Sequence, residues 1–359
     1  MKFEIIKKEK TLVKISYKAS DLYSMPIKSD KILFVTDRTC FKKFKDIMEK
    51  AGAEFSKKYF ILILSEKEKN LKSLEKILLF LLKNNFSRTD LVIAFGGGSV
   101  CDIAALAASL YMRGINLCMI PTTFLSQIDA AFGGKNGADL GKYKNMIGVF
   151  RQPDYLFCGV SFYGEQEIKD GYGELLKYFI LKPSNFPKNK VSFALSLKKD
   201  LKARIKCVKE CLKIKSQFVK ADPSDLKGIR EYLNLGHTAA HAFESASFKK
   251  ISHGEAVLLG LKYEYLLSKE IFKKNPPQGA VIENFLTLLS PIKINSRLNF
   301  RDFIKAVKKD KKNKGKKNTF FLFSPKGEIL KINGINERIL DKIFRRICDE
   351  HIGYKRPQS

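Results

Sequence analysis

The chain has 359 residues, 45% hydrophobic and 29% charged, with 67 Lys+Arg against 37 Asp+Glu and a formal net charge of +30. That mixture is globular rather than disordered, allows about two domains, and supports a core that needs neither a disulfide nor a structural metal. No apolar run approaches the roughly 18 residues of a membrane span, MKFEIIKKEK returns to lysine too early for a signal peptide, and seven cysteines without paired CxxC units read as reduced thiols, so a cytoplasmic protein is expected.

In chain order, Lys31 to Thr36 (KILFVT) predicts a buried strand, Phe41 to Ala51 has helical spacing, and Tyr59 to Leu64 (YFILIL) predicts a second strand. Asn70 to Asn84 repeats leucine and isoleucine at three and four, a helix. Leu91 to Phe95 (LVIAF) is a third strand that runs into Gly96, Gly97 and Gly98, and Asn116 to Ile120 (NLCMI) is a fourth, ended by Pro121. Strands alternating with helices imply parallel βαβ units, so residues 1–160 are expected to form an α/β, doubly wound domain. Beyond about residue 160 the texture changes to long helical periods (165–182, 199–220, 233–247, 254–269, 278–289 and 299–309), which predicts an all-α second domain over 161–359. Phe320 to Phe323 and Gly327 to Ile332 predict a small hairpin around Pro325, Lys326 and Gly327.

The basic surplus first suggests nucleic acid. It is mostly lysine spread along the whole chain, and its densest stretch, Lys305 to Lys317, lacks the aromatics that base stacking requires. An anionic small molecule is the better expectation, with no nucleic-acid or membrane partner.

Two features carry chemistry. In LVIAFGGGSVCDIAALAAS a strand leads through three glycines into an alanine-rich helix, where bare backbone and orphan N–H groups can hold a pyrophosphate. The spacing is GGGSxxD rather than GxGxxG, and glycines can equally serve only as a tight turn. Gly133 and Gly134 precede Lys135, with Lys144 and Asn145 following, a pattern compatible with an anion pocket or a solvated loop. The four histidines are the second feature. His237 and His241 lie four apart on one helical face and His253 follows, a pattern suited to a divalent metal such as zinc, although an HxxxH pair alone is more often structural. No glutamate follows His237, which excludes HExxH. Glu174, three residues before Lys177, offers a carboxylate ligand.

These segments in this order, GGGSVCDIAALAASLYMRG, IPTTFLSQIDAAFGGKNG, KNMIGVFRQP, GELLKY, LNLGHTAAHAFE and SHGEAV, resemble the 3-dehydroquinate synthase family from roughly Lys31 to Phe323. The resemblance implies an N-terminal NAD-binding domain, a helical metal domain and an active site between them, with one zinc or cobalt on Glu174, His237 and His253. It places NAD on Gly97, Gly98 and Asp102, with Thr122 and Thr123 near the nicotinamide half and Asp37, Glu66 and Lys69 at the adenosine end; Lys135, Lys144 and Glu167 join the cofactor set. Substrate would be held by Asp129, Lys135, Lys144, Asn145, Lys177, Lys215, Arg230, Asn234, His241 and Lys311. Arg113 would reach the substrate phosphate of a neighbouring subunit, implying a homodimer.

A phosphorylated sugar acid carries about three negative charges and needs several fixed cations, which that set provides. Some segments depart from the family pattern. The usual TLPxRE segment reads Phe162-Tyr163-Gly164-Glu165-Gln166-Glu167, GGKTG reads GGKNG with Asn136, and Asp222 to Arg230 is one residue longer. Two other activities fit the same architecture: a different sugar-phosphate cyclase, and a metal-dependent polyol dehydrogenase that would consume NAD. A non-catalytic binding protein is disfavoured by the complete ligand set.

Overall fold

The computed structural model describes residues 10–65, 69–141, 143–246, 251–288, 292, 298–308 and 318–351. They pack as two units: Met1–Glu167 with Lys199–Gln217, and Ile168–Lys198 with Phe218–Ser359.

In the first unit, β1 (Leu12–Ser16), β2 (Ser29–Asp37), α1 (Arg38–Phe55), β3 (Ser56–Leu64), α2 (Leu71–Lys83), β4 (Leu91–Gly96), α3 (Gly98–Leu110), β5 (Asn116–Pro121), β6 (Lys135–Leu140), β7 (Tyr143–Phe150) and β8 (Tyr155–Gly159) follow in order. Six strands form one parallel sheet, β1-β8-β5-β4-β2-β3, while β6 and β7 pair antiparallel as a separate hairpin. The four expected strands lie inside β2, β3, β4 and β5. β4 is buried at every position, as a central parallel strand covered on both faces must be. Strand order reverses between β2, which is followed by β3 at the edge, and β4, which sits on the other side of β2. In open α/β sheets that reversal point, at the carboxyl ends of the strands, is where ligands bind. Here it is flanked by Asp37 and by Gly96, Gly97 and Gly98. Asp37 caps α1 by accepting from Cys40 N–H at 2.7 Å, and Asn70 caps α2 through Ser73 N–H at 3.1 Å.

The second unit is built from α5 (Tyr172–Leu181), which follows the short α4 (Glu165–Asp170) at the junction, then α6 (Lys190–Ser196), and, beyond α7 (Leu201–Ala221), α8 (His237–Ala246), α9 (His253–Phe272), α10 (Gly279–Leu288) and α11 (Phe300–Lys308). The hairpin β9 (Thr319–Phe323) with β10 (Ile329–Asn333), and α12 (Glu337–His351), complete it. α9 is the central helix, with most of its side chains buried, and opens with a full capping box of Ser252 and Glu255.

A single division at residue 160 assigns all of α7 to the helical unit; its packing assigns residues up to Gln217 to the α/β unit. The reason is a set of buried polar anchors. Arg204 donates to the carbonyls of Val160 and Tyr163 at 3.0 and 2.9 Å, and Lys215 pairs with Asp129 at 3.1 Å. Detaching α7 from the α/β unit would break these contacts.

Candidate active site

In the first unit the glycine turn is assembled by backbone. Thr122 N–H donates to Gly96 carbonyl at 2.9 Å and Cys101 N–H to Gly97 carbonyl at 3.0 Å. A Cβ on Gly97 would lie 3.6 Å from the Thr123 methyl, so Thr122 and Thr123 stand beside the start of α3. Lys69 binds both the Asp102 carboxylate and the Asn145 side-chain carbonyl. Asp139 closes the same network, receiving Asn145 N–H at 2.7 Å and donating its own N–H to Lys69 carbonyl at 2.8 Å. Three predicted residues, Lys69, Asp102 and Asn145, therefore meet. Burial raises the pKa of Asp102, and the nearby Lys69 and Lys215 work against that rise. Lys135 on β6 and Lys144 on β7 are exposed on the hairpin. Arg113 is exposed and follows Met112 at positive φ (66° and 48°), an unusual conformation for two successive side-chain-bearing residues. With Arg88, Arg151 and Asp154 it lines an open pocket of about 710 Å³. Glu66 lies outside the described residues.

Phe162 and Tyr163 of the divergent segment are packed inward. Phe162 sits against Phe44, Phe95 and Phe157 with ring centroids 5.1, 5.6 and 6.1 Å away, and Tyr163 lies under the Arg204 guanidinium. Gln127 donates to Gly159 carbonyl, Arg204 to those of Val160 and Tyr163, and Lys43 to that of Phe162. Glu167 accepts Gly164 N–H at 3.0 Å. Side chains from three other elements thus hold the loop where the family pattern has threonine, leucine and proline.

In the second unit two close helix approaches bring the candidate ligands together. A Cβ on Gly173 would sit 2.2 Å from Gly254 carbonyl, and one on Gly260 would sit 2.0 Å from Gly236 carbonyl. Only glycine permits α5 and α8 to approach α9 this closely. Glu174, His237 and His253 consequently present ligand atoms that all lie within 4.8 Å of one another. His237 Nε2 and His253 Nε2 face the same Glu174 oxygen at 2.9 and 3.1 Å. Their other ring nitrogens also face acceptors: His237 Nδ1 meets Leu235 carbonyl at 3.1 Å and His253 Nδ1 meets a Glu244 oxygen at 2.9 Å. A neutral imidazole has one N–H, so each ring leaves a lone pair against an oxygen unless positive charge sits there. Burial, opposed by Glu174, lowers the pKa of His237, so its own protonation is not the ready source. For His253 burial also opposes charging, but Glu174 and Glu244 overcome it and raise the pKa to about 10. Burial would raise the pKa of Glu174, yet Lys177 and His237 hold it well below the usual carboxylate range. Two imidazole nitrogens and a buried carboxylate oxygen, within 4.8 Å of one another, are a donor set that fits a divalent cation such as zinc.

Lys177 pairs with Glu174 from one turn along α5, and both are 1% exposed. His241, exposed, stands beside His237 with ring centroids 5.5 Å apart and is not in the ligand set. Arg230 is buried and donates to Pro223 carbonyl at 3.1 Å. Its loop is fixed by Asp222, whose oxygens accept the N–H groups of Leu226, Lys227, Ile229 and Arg230. Asn234 ends the short 3-10 turn Arg230–Asn234 before α8. Lys311 lies outside the described residues. Sequence reasoning missed Glu244, although it falls seven residues after His237, two turns along the same face of α8.

Fold and site define a class: an α/β unit with a glycine turn at its strand-order reversal, joined to a helical unit with a carboxylate–dihistidine centre. Residues 59–169 match the family model for the 3-dehydroquinate synthase N-terminal domain and residues 171–313 that for the C-terminal domain, so the chain belongs to the 3-dehydroquinate synthase family. A 3-dehydroquinate synthase of Clostridium tetani is 35% identical over 338 residues, covering 92% of this chain and 89% of that one. Among solved structures, 2-epi-5-epi-valiolone synthase of Streptomyces hygroscopicus, with NAD+ and Zn2+ bound, has a TM-score of 0.83 at 18% identity, covering 97% of this chain and 99% of that one. A 2-deoxy-scyllo-inosose synthase with carbaglucose-6-phosphate, NAD+ and Co2+ has a TM-score of 0.81 at 20% identity, covering 93% and 96%. At such identities these two structures speak for the fold.

Proposed function

We infer that the chain is an enzyme, a carbon–oxygen lyase acting on phosphate that converts 3-deoxy-D-arabino-heptulosonate 7-phosphate to 3-dehydroquinate and phosphate, a step of the shikimate pathway to aromatic amino acids. The observation that carries this reading is the Glu174–His237–His253 centre, with Glu174 and His237 buried and Lys177 beside them, in a chain that matches both family models. NAD and one zinc or cobalt ion, when bound, supply reversible oxidation and Lewis acidity, so that NAD is recycled rather than consumed.

The protein's part is to bind, orient and neutralise. Glu174, His237 and His253 would hold the metal. Gly97, Gly98, Asp102, Thr122, Thr123, Asp37, Lys69 and Glu167 would hold the dinucleotide, with the glycines admitting pyrophosphate to the start of α3. Lys135, Lys144, Lys177, Lys215 and Arg230 would offset the substrate's negative charge and that of the departing phosphate. Preorganised cations aimed at developing charge favour the transition state, and the phosphate itself can accept the proton lost in β-elimination. Asp129 orients Lys215, and Asn145, Asn234, His241 and Lys311 complete the polar set.

We further propose a cytoplasmic homodimer in which Arg113 serves the partner's site, with no nucleic-acid or membrane partner. Among the described residues no helix is long and apolar enough to cross a membrane. Exposed Leu110 and Met112 close to Arg113 in sequence, and exposed Phe150 in the lining of the same pocket, support a covered surface around Arg113.

The decisive assay incubates purified, metal-loaded protein with NAD and 3-deoxy-D-arabino-heptulosonate 7-phosphate. Phosphate release with no net NADH is expected. Stoichiometric NADH without phosphate would replace this reading with a polyol dehydrogenase.

A further inference from the structure

Glu264 is wholly buried on α9, eleven residues or about three turns beyond His253. A buried carboxylate is costly to desolvate and persists where its oxygens receive donors. One oxygen accepts Gly236 N–H at 2.7 Å and the other accepts Phe321 N–H at 3.4 Å. Gly236 N–H belongs to the same peptide group as Leu235 carbonyl, which faces His237 Nδ1 at 3.1 Å. The atoms form one series: carboxylate, amide N–H, amide carbonyl, imidazole Nδ1–H. Negative charge at an amide N–H polarises the peptide and makes its carbonyl a stronger acceptor, so the two hydrogen bonds reinforce each other. His253 donates directly to the carboxylate of Glu244 at 2.9 Å; His237 has the equivalent group one peptide away.

We propose that Glu264 is a positioning residue of the metal centre, acting through the Leu235–Gly236 peptide to fix the Nδ1–H tautomer and ring orientation of His237 and to strengthen its Nε2 as a ligand. This rests on the reading that Glu174, His237 and His253 hold a metal. Partners behind a metal-bound histidine typically change metal affinity 10–100-fold. The competing role is scaffolding, because Glu264 also fastens α9 to β9. That role has its own marker on the same helix: Ser268 accepts Phe323 N–H at 2.8 Å and donates to the backbone carbonyl of Glu264 at 2.6 Å, away from the carboxylate that holds Gly236.

The test uses Co2+ as the probe, with the full-length wild type, Glu264→Gln and Ser268→Ala. Stoichiometry, affinity by chelator competition, the visible spectrum and thermal stability are measured. Wild type should bind one Co2+ per chain. Glu264→Gln should bind about 10–100-fold more weakly with a changed spectrum, whereas Ser268→Ala should lose thermal stability yet bind Co2+ as wild type does. If Glu264→Gln does not fold, Glu264→Asp, which keeps the charge but withdraws it from Gly236, should show the same weakening. Wild-type affinity and spectrum in the folded Glu264 variant would overturn the proposal. So would equal weakening in Ser268→Ala. A wild type that binds no Co2+ would overturn the metal reading itself, a distinct outcome.

Discussion

Glu174 is the residue on which the centre converges, because one of its oxygens faces both histidines and the other faces Lys177. A buried carboxylate needs compensating charge, which Lys177 and His253 provide, while His237 stays the less readily charged of the two rings. His253 is held from behind by Glu244, the more exposed of the two supports and the one on the same helix as His237. Glu244→Gln keeps the side chain's shape but removes the charge that sharpens His253 as a ligand. Its metal affinity should fall about 10–100-fold, whereas His237→Ala, which deletes a ligand, should lose stoichiometric metal by elemental analysis. A His237→Ala protein that keeps a full equivalent would remove His237 from the ligand set.

The helices hold this geometry through their closest approaches. Gly173 lies against Gly254, and any Cβ there would fall 2.2 Å from a carbonyl oxygen, far inside contact distance. Gly173→Ala must push α5 from α9 and shift Glu174 relative to His253; overpacking of this kind costs about 1–3 kcal/mol. A lower Tm and weaker metal binding should therefore appear together, and a variant with unchanged melting would show that the approach is looser than described. Much of this architecture was legible in the sequence. β2 to β5 stood out as apolar runs, and the histidine spacing pointed to one helical face. β6 and β7 did not stand out, because KNGADL and YKNMIGVF are poor in β-branched residues and rich in glycine, asparagine and lysine, and pairing across the hairpin decides their conformation. β1 is a five-residue edge strand with Leu12 and Val13 exposed, too short and too open to show a period. The return of α7 to the first unit was hidden because Arg204 read as one more cation in a lysine-rich helix and Lys215 was expected at the substrate, not as an anchor to Asp129. Glu264 was silent for another reason: Gly236 and Phe321 reach its carboxylate through backbone N–H groups, which every non-proline residue has.

At the scale of the whole molecule, the net charge of +30 works against self-association by long-range repulsion, so a dimer must rest on local apolar contact and on a benefit to the site. In the proposed homodimer the exposed side chains of Leu110, Met112 and Phe150 are the candidates for the first. Arg113, exposed and carried by a backbone with positive φ at two successive residues, is the candidate for the second. Strained backbone of this kind persists where surrounding structure compensates for it, and it concentrates at functional sites. The test is genetic arithmetic on mixed dimers. Arg113→Ala and Lys177→Met should each be inactive alone. In a hybrid, the site on the Arg113→Ala chain keeps its own Lys177 and receives Arg113 from the partner, while the other site lacks both. Random exchange makes half of the dimers hybrid with one working site of two, so about a quarter of wild-type activity should return. If Arg113 acts within its own chain, every site in every dimer lacks one group, and the mixture stays inactive after subunit exchange has been verified by mass.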